Sequence, residues 1–327
     1  MIEPQIWAVV LLVPAAVAAL IVALGRRLFP AICGELGFSA GFVSGFLAYR
    51  ALRAVAAASG GSSPDSVQLL ELVREQAARL WWPRAVGDWL PLLAGAICLL
   101  ACWPGTARSD VLRRLAWLGQ SFVLAGCLVL QYRKTRHVAM PSAESTALLM
   151  QAGTMALVGW LALTWRRWPI EDVLAQPDCR KASRLKRMGV RGGIGVMSGA
   201  VLTGLLGLSG SLTLGVESLL VPAALAGSVL GAMGTPHPTT HAGSPFFPAA
   251  TWSALSISYL VQGALLAQLS LVCGWLWMGS AAIGLGGWCS PRSPAFRLRS
   301  SIPALVAVGL FALAMSLAVR QFWLDTH

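Results

Sequence analysis

The stretch Ile6–Leu24, "IWAVVLLVPAAVAALIVAL", decides what kind of object this chain is. It carries no charge over a length that a lipid bilayer demands. A spanning helix needs roughly 20 mainly apolar residues to cross about 30 Å of hydrocarbon. The run does not read as a cleaved leader. The residues before it, "MIEPQ", lack a positive charge, and Arg26 and Arg27 follow where a small-residue cleavage site would stand.

Composition extends that reading to the whole chain. Of 327 residues, 56% are hydrophobic and 12% charged, and the mean hydropathy is +0.68. A soluble domain carries about 25% charged residues, so this chain could not cover a globular surface with polar groups. Ten candidate spans are expected, at about 6–24, 31–48, 89–104, 115–131, 146–165, 190–210, 213–233, 249–268, 271–288 and 302–320. The run at 31–48 is the weakest, being short and interrupted by glycine and Glu35; a tilted or re-entrant helix is one reading of it. The expected fold class is therefore all-α, a polytopic transmembrane bundle of about ten spans forming one integral-membrane domain over 1–327.

The net charge of +12 does not point to nucleic acid. The basic residues sit in short blocks between apolar runs, the pattern of positive-inside topology. The heaviest block runs from Arg166 to Arg191 and is placed in the cytoplasm. Alternation of spans then gives the cytoplasmic side 16 Lys and Arg and the other side nine, out of 25. Both termini and residues 49–88 fall outside, which suits a multi-pass protein of a bacterial inner membrane. Within 49–88, Val67, Leu70, Val73, Ala77 and Leu80 recur at helical spacing, while Gln68, Glu71, Glu75 and Arg79 lie mostly elsewhere on the wheel. That predicts a short amphipathic helix over about 65–82, either at the membrane interface or on the protein's own surface. Trp7, Trp89, Trp165 and Trp323 are among the indoles near span ends, where a ring with one polar edge prefers the headgroup zone.

The two halves differ. Residues 192–291 hold a single formal charge, Glu217, and residues 189–287 hold 19 of the 34 glycines. Gly195 and Gly199, and Gly227 and Gly231, stand four apart, the spacing that lets helix backbones approach closely in lipid. The C-terminal part, 189–320, is expected to be a tight Gly-rich bundle. The seven cysteines form no CxxC, and most lie in apolar runs as small hydrophobes.

Candidate functional residues are few. Glu217 is the foremost, because a charge deep in a bilayer costs about 3 kcal/mol and often marks a pathway. The alternative favoured for it is a hydrated position at the non-cytoplasmic mouth of its span. Glu35 is a second candidate. His237 and His241 lie in "MGTPHPTTHAGSPFFP" (Met233–Pro248), placed as a cytoplasmic, proline-stiffened connection, with gating as the minority view. No acid or Cys stands in that stretch to complete a metal site with the two histidines, so no metal and no cofactor is expected. "GLSGS" (Gly207–Ser211) is similar over four residues to the Gly-x-Ser-Gly of rhomboid-type proteases. The following glycine falls one late, at Gly215, and no histidine is suitably placed to serve Ser209 as a base. A small-residue turn accounts for the string.

"WPRAVGDWLPLLAG" (Trp82–Gly95), "GSLTLG" (Gly210–Gly215) and the Ala-Leu-Trp texture give the chain a resemblance to uncharacterised multi-span membrane proteins of planctomycete-type bacteria. The resemblance implies an inner-membrane location and no activity. Three function classes follow. A non-catalytic accessory or structural subunit of a membrane assembly is the first, with the lipid bilayer, other membrane subunits or a second copy as partners. A small-solute transporter or channel with Glu217 lining the pathway is the second. A membrane-embedded enzyme is the third, weakened by the lack of any Asp/Glu/His cluster of catalytic spacing.

Overall fold

The structure is a computed structural model that describes residues 4–28, 32–58, 71, 74–75, 78, 88–102, 150, 153–154, 157–158, 181–233, 248–267, 269–286 and 301–326. Every regular element among these is a helix. In chain order they are α1 (Pro4–Leu28), α2 (Cys33–Ala58), α3 (Trp89–Cys102), α4 (Lys181–Leu208), α5 (Leu212–Ser218), α6 (Leu220–Met233), α7 (Ala249–Leu266), α8 (Leu271–Gly286) and α9 (Ser301–Thr326). The all-α expectation is met.

The expected span count is not. Among the described residues three stretches are long and apolar enough to cross a membrane: Ile6–Gly25 in α1, Leu212–Met233 through α5 and α6, and Leu305–Leu324 in α9. Four of the others fall short for identifiable reasons. At 1.5 Å per residue, the 14 residues of α3 reach about 21 Å and the 16 of α8 about 24 Å, against a hydrocarbon core of about 30 Å. The first turns of α4 are basic, which leaves Gly192–Leu208 as its apolar part. α2 is long, at 26 residues, but carries Glu35, Arg50 and Arg53. The candidate span at 115–131 lies outside the described residues, and so does most of 146–165. Of the expected amphipathic helix, Glu71, Arg74, Glu75 and Ala78 are described; all four are helical and exposed.

Close backbone approach organises the N-terminal part of the bundle. α1 packs on both α2 and α6. On α2 the contact runs along Gly37, Gly41 and Gly45. A side chain at Gly41 would meet the Pro14 carbonyl oxygen at 2.5 Å and the Ala18 methyl at 2.7 Å. On α6, Gly227 and Gly231 lie directly against the backbone of Ala15 and Ala19. Small residues one turn apart on the facing helices bring the main chains together, the usual basis of helix association in lipid. That contact explains why the weakest expected span is a full helix: its glycines are a packing stripe, and α1 covers it.

α7 lies at the centre. Residues 248–263 are all buried, and α7 packs on α3, α2, α4 and their neighbours. A helix buried on every side is expected to be apolar all round, yet this one carries Thr251, Ser253, Ser256, Ser258, Tyr259 and Gln262. Ser258 is satisfied locally, its Oγ donating to the Ala254 carbonyl at 2.7 Å, and Thr251 is reached from α2 by Ser39 Oγ at 3.4 Å. Trp252 of α7 sits against Trp277 of α8, with ring centroids 6.3 Å apart. The Trp277 indole N–H donates to the Ser198 carbonyl of α4 at 2.7 Å. These contacts tie α4, α7 and α8 into one core with Phe38, Phe42, Leu90 and Leu205.

Exposure separates outer from inner helices. The apolar windows of α1 and α9 are each only 22% buried, whereas that of α5–α6 is 72% buried. Leu12 and Leu24 on α1 and Leu305 on α9 are among the leucines left more than half exposed. Contiguous apolar surface of this kind suits a lipid environment, in agreement with membrane association.

Candidate functional site

The "GLSGS" string builds one wall of the site. Gly210 takes φ +88°, a left-handed conformation that glycine adopts without steric cost, and this turns the chain from α4 into α5. Ser209 Oγ donates to the Leu206 carbonyl at 2.7 Å. Ser211 is the N-cap of α5, its side chain accepting from the Leu214 N–H. The serines are therefore turn and cap residues, as expected. Without a side chain, Gly215 of α5 lies close to Gly207 of α4. The tight turn presses α5 inward and carries Glu217 with it.

Glu217 is buried, with 2% of its surface exposed. The favoured hydrated-mouth reading is thus corrected. The reason is tertiary: α2, α3 and α7 close around the position. Arg50 of α2 reaches it, with Nη2 3.1 Å from Glu217 Oε1. The same guanidinium lies 3.9 Å, through Nη1, from Oδ1 of Asp88 at the start of α3. Three charges far apart in the chain form one cluster, in which a single cation is shared by two carboxylates. Arg50 Cζ also stands 5.1 Å from the Phe46 ring centroid, within cation–π range. Arg53, one turn on, lies over Tyr49 at 5.8 Å and donates to its hydroxyl at 3.5 Å. Tyr259 of α7 donates through its hydroxyl to the Glu217 main-chain carbonyl at 3.1 Å, and Ser218 Oγ to Thr203 Oγ1 of α4 at 3.0 Å. The backbone beside the carboxylate is held from two helices.

The cluster is incompletely satisfied. Arg50 Nε and Glu217 Oε1 are buried and have no hydrogen-bond partner among the described residues. The 3.1 Å contact is a charge pair without good hydrogen-bond direction. Unsatisfied polar atoms in a core are uncommon and point to a water, an ion or a functional role. The exposure is graded too: the side chains are 23% exposed at Arg50 and 10% at Asp88, but 2% at Glu217. Arg50 is the more exposed partner of the Arg50–Glu217 pair.

Glu35 is elsewhere and has a different task. It lies 15 residues before Arg50 on α2, about 22 Å along the axis. Its two carboxylate oxygens accept from the backbone N–H groups of Ala250 and Thr251, at 3.0 and 3.1 Å. These are the first-turn donors of α7, whose N-cap residue, Pro248, makes no side-chain cap bond. Glu35 thus caps α7 from another helix and meets the positive end of its dipole. Replacing Glu35 by alanine is expected to lower stability by about 1–2 kcal/mol, and by glutamine less, because an amide oxygen still accepts. Thermal unfolding in detergent checks this; equal midpoints for Glu35→Ala and the unmodified chain would refute it.

His237 and His241 lie outside the described residues. Among the described residues, no three His, Cys, Asp or Glu side chains are grouped to hold a metal ion. Sequence reasoning used Arg50 and Asp88 only to count charge or to mark a loop. The signal that could have singled them out was their place at span ends facing the end where Glu217 begins its helix. Compared with family models, curated proteins and solved structures, the chain matches none of them.

Proposed function

We propose that the chain is a multi-pass inner-membrane protein that carries a small solute past Glu217, with Arg50 as its counter-ion and Asp88 at the entrance. One observation carries this reading: a carboxylate in an apolar helix pair, 2% exposed, held by a guanidinium at 3.1 Å. Intramembrane charges are expensive, pair with one another and mark substrate or ion routes. The placement of Arg166–Arg191 on the cytoplasmic side belongs to the same proposal.

The accessory-subunit reading drew on the Gly-rich faces and on the lack of an acid–base cluster. Gly37, Gly41, Gly45, Gly227 and Gly231 are spent on α1 within the chain, which leaves those faces unavailable to a partner. The Arg50–Glu217–Asp88 cluster supplies the charged constellation that had been missing. Both points favour solute handling.

Swelling of proteoliposomes in methylammonium chloride, glycine, sodium acetate or glycerol tests the proposal. At least one solute is expected to enter faster than in empty vesicles, with entry lost in Glu217→Gln while the fold is kept. Equal rates for the variant and the unmodified chain would overturn it. Purification with a fixed partner and no entry of any solute would favour the subunit reading.

A further inference from the structure

Among the described residues the cluster holds two cations and two carboxylates: Arg50 and Arg53 from α2, Asp88 before α3, and Glu217 from α5. Tyr49 of α2 and Tyr259 of α7 are the other described titratable groups around it. Among these groups Arg50 is the one placed to change partner. Arg50 already touches both carboxylates, at 3.1 and 3.9 Å. If it leaves Glu217 it is received by Asp88, which is nearer the solvent. Glu217, buried, then lacks a positive partner.

We propose that Arg50 is an exchangeable counter-ion, and that the solute bears an ammonium or guanidinium group that takes its place at Glu217 while Arg50 pairs with Asp88. This rests on the solute-carrying reading above and names the solute class. An anion would gain Arg50 but leave Glu217 bare. A hard metal ion seeks a shell of several oxygen ligands, and among the described residues no three His, Cys, Asp or Glu side chains are grouped to supply one. An organic cation is less strongly hydrated, and the Phe46 face that lies 5.1 Å from Arg50 offers it a cation–π seat. The unsatisfied Glu217 Oε1 is the acceptor for its N–H group. No covalent bond changes, and the charge of the site rises by the one cation that enters.

The full chain in lipid nanodiscs tests the exchange by thermal unfolding with methylguanidinium, ethylammonium, sodium and propionate salts at constant ionic strength. Methylguanidinium and ethylammonium are expected to raise the midpoint saturably, and the effect is expected to weaken about tenfold or more in Glu217→Gln, which removes a charge-assisted bond. In Arg50→Ala the midpoint is expected to fall and to be restored by methylguanidinium; Arg50→Ala/Glu217→Gln is expected not to respond. Where Arg50→Ala does not fold, Arg50→Lys gives the same reading as tighter methylguanidinium binding, since lysine is a poorer planar partner. A shift of equal size with sodium, a shift with propionate alone, or no saturable shift in any protein would overturn the proposal. Glu217-dependent entry of glycerol or acetate would refute the solute class and leave the transport reading standing. Cation binding at Glu217 without entry of any solute would do the reverse.

Discussion

Replacing Arg50 by alanine will destabilise the folded chain by about 3 kcal/mol, and replacing Glu217 by glutamine in the same molecule will recover most of that loss. The reasoning is asymmetric. Making a buried ion pair gains little, because desolvation offsets the attraction between the charges. Breaking one by removing a single partner leaves an uncompensated charge and costs about 3–5 kcal/mol. The lower end applies because the Arg50 side chain keeps 23% of its surface exposed, so solvent screens part of its interaction. Glu217, at 2% exposure, has no such relief and bears the penalty once Arg50 is gone. Glutamine is close in size and neutral, so the double variant removes the stranded charge and keeps the packing. Unfolding midpoints of the two single variants and the double give the coupling directly. Additive losses would show that Arg50 and Glu217 do not act as a pair.

The second large effect is steric. Gly227→Ala will destabilise by about 1–3 kcal/mol, the range for overpacking a filled site, and Gly227→Leu will prevent α1 from seating on α6. The added carbon would fall on the Ala15 carbonyl, main chain within a helix, with no flexible side chain to yield. Gly279→Ala is the matched control. It lies in α8, also within a helix, with nothing within 4 Å of an added carbon. There the substitution is expected to be neutral, or to gain up to about 1 kcal/mol from helix propensity. Equal midpoints for Gly227→Ala and Gly279→Ala would remove the close-approach account of α1, α2 and α6.

Helix positions were largely legible in the sequence, and the reason is physical. Apolar runs such as Ile6–Leu24 and Leu305–Ala318 must satisfy their backbone groups internally when water is excluded, so composition alone selects helix. What the runs did not reveal is how much of each faces outward. α1 and α9 are largely exposed, and α7 is buried although it carries four serine and threonine residues. Hydropathy sums over a helix and does not distinguish an apolar helix in lipid from a mixed helix inside a bundle. The count of ten spans treated both alike. The expected packing stripes were partly right: Gly227 and Gly231 do meet another helix, and Gly199 lies against Pro222. The stripe Gly37–Gly41–Gly45 carried the same spacing but was read as a sign of interruption, because without α1 beside it a glycine-rich run looks weak.

The sequence by itself determined that the chain is helical and suited to lipid. It marked Glu217 as the one charge in a long apolar stretch and Glu35 as a charge inside a second apolar run. All of that follows from hydropathy and the distribution of charge, which act locally along the chain. Only the tertiary structure decided that Glu217 is buried instead of hydrated, that Arg50 is shared between it and Asp88, and that Glu35 closes the start of α7. These depend on which helices lie side by side. That is set by the close contact of α1 with α2 and α6 and by the Gly210 turn that presses α5 into the core.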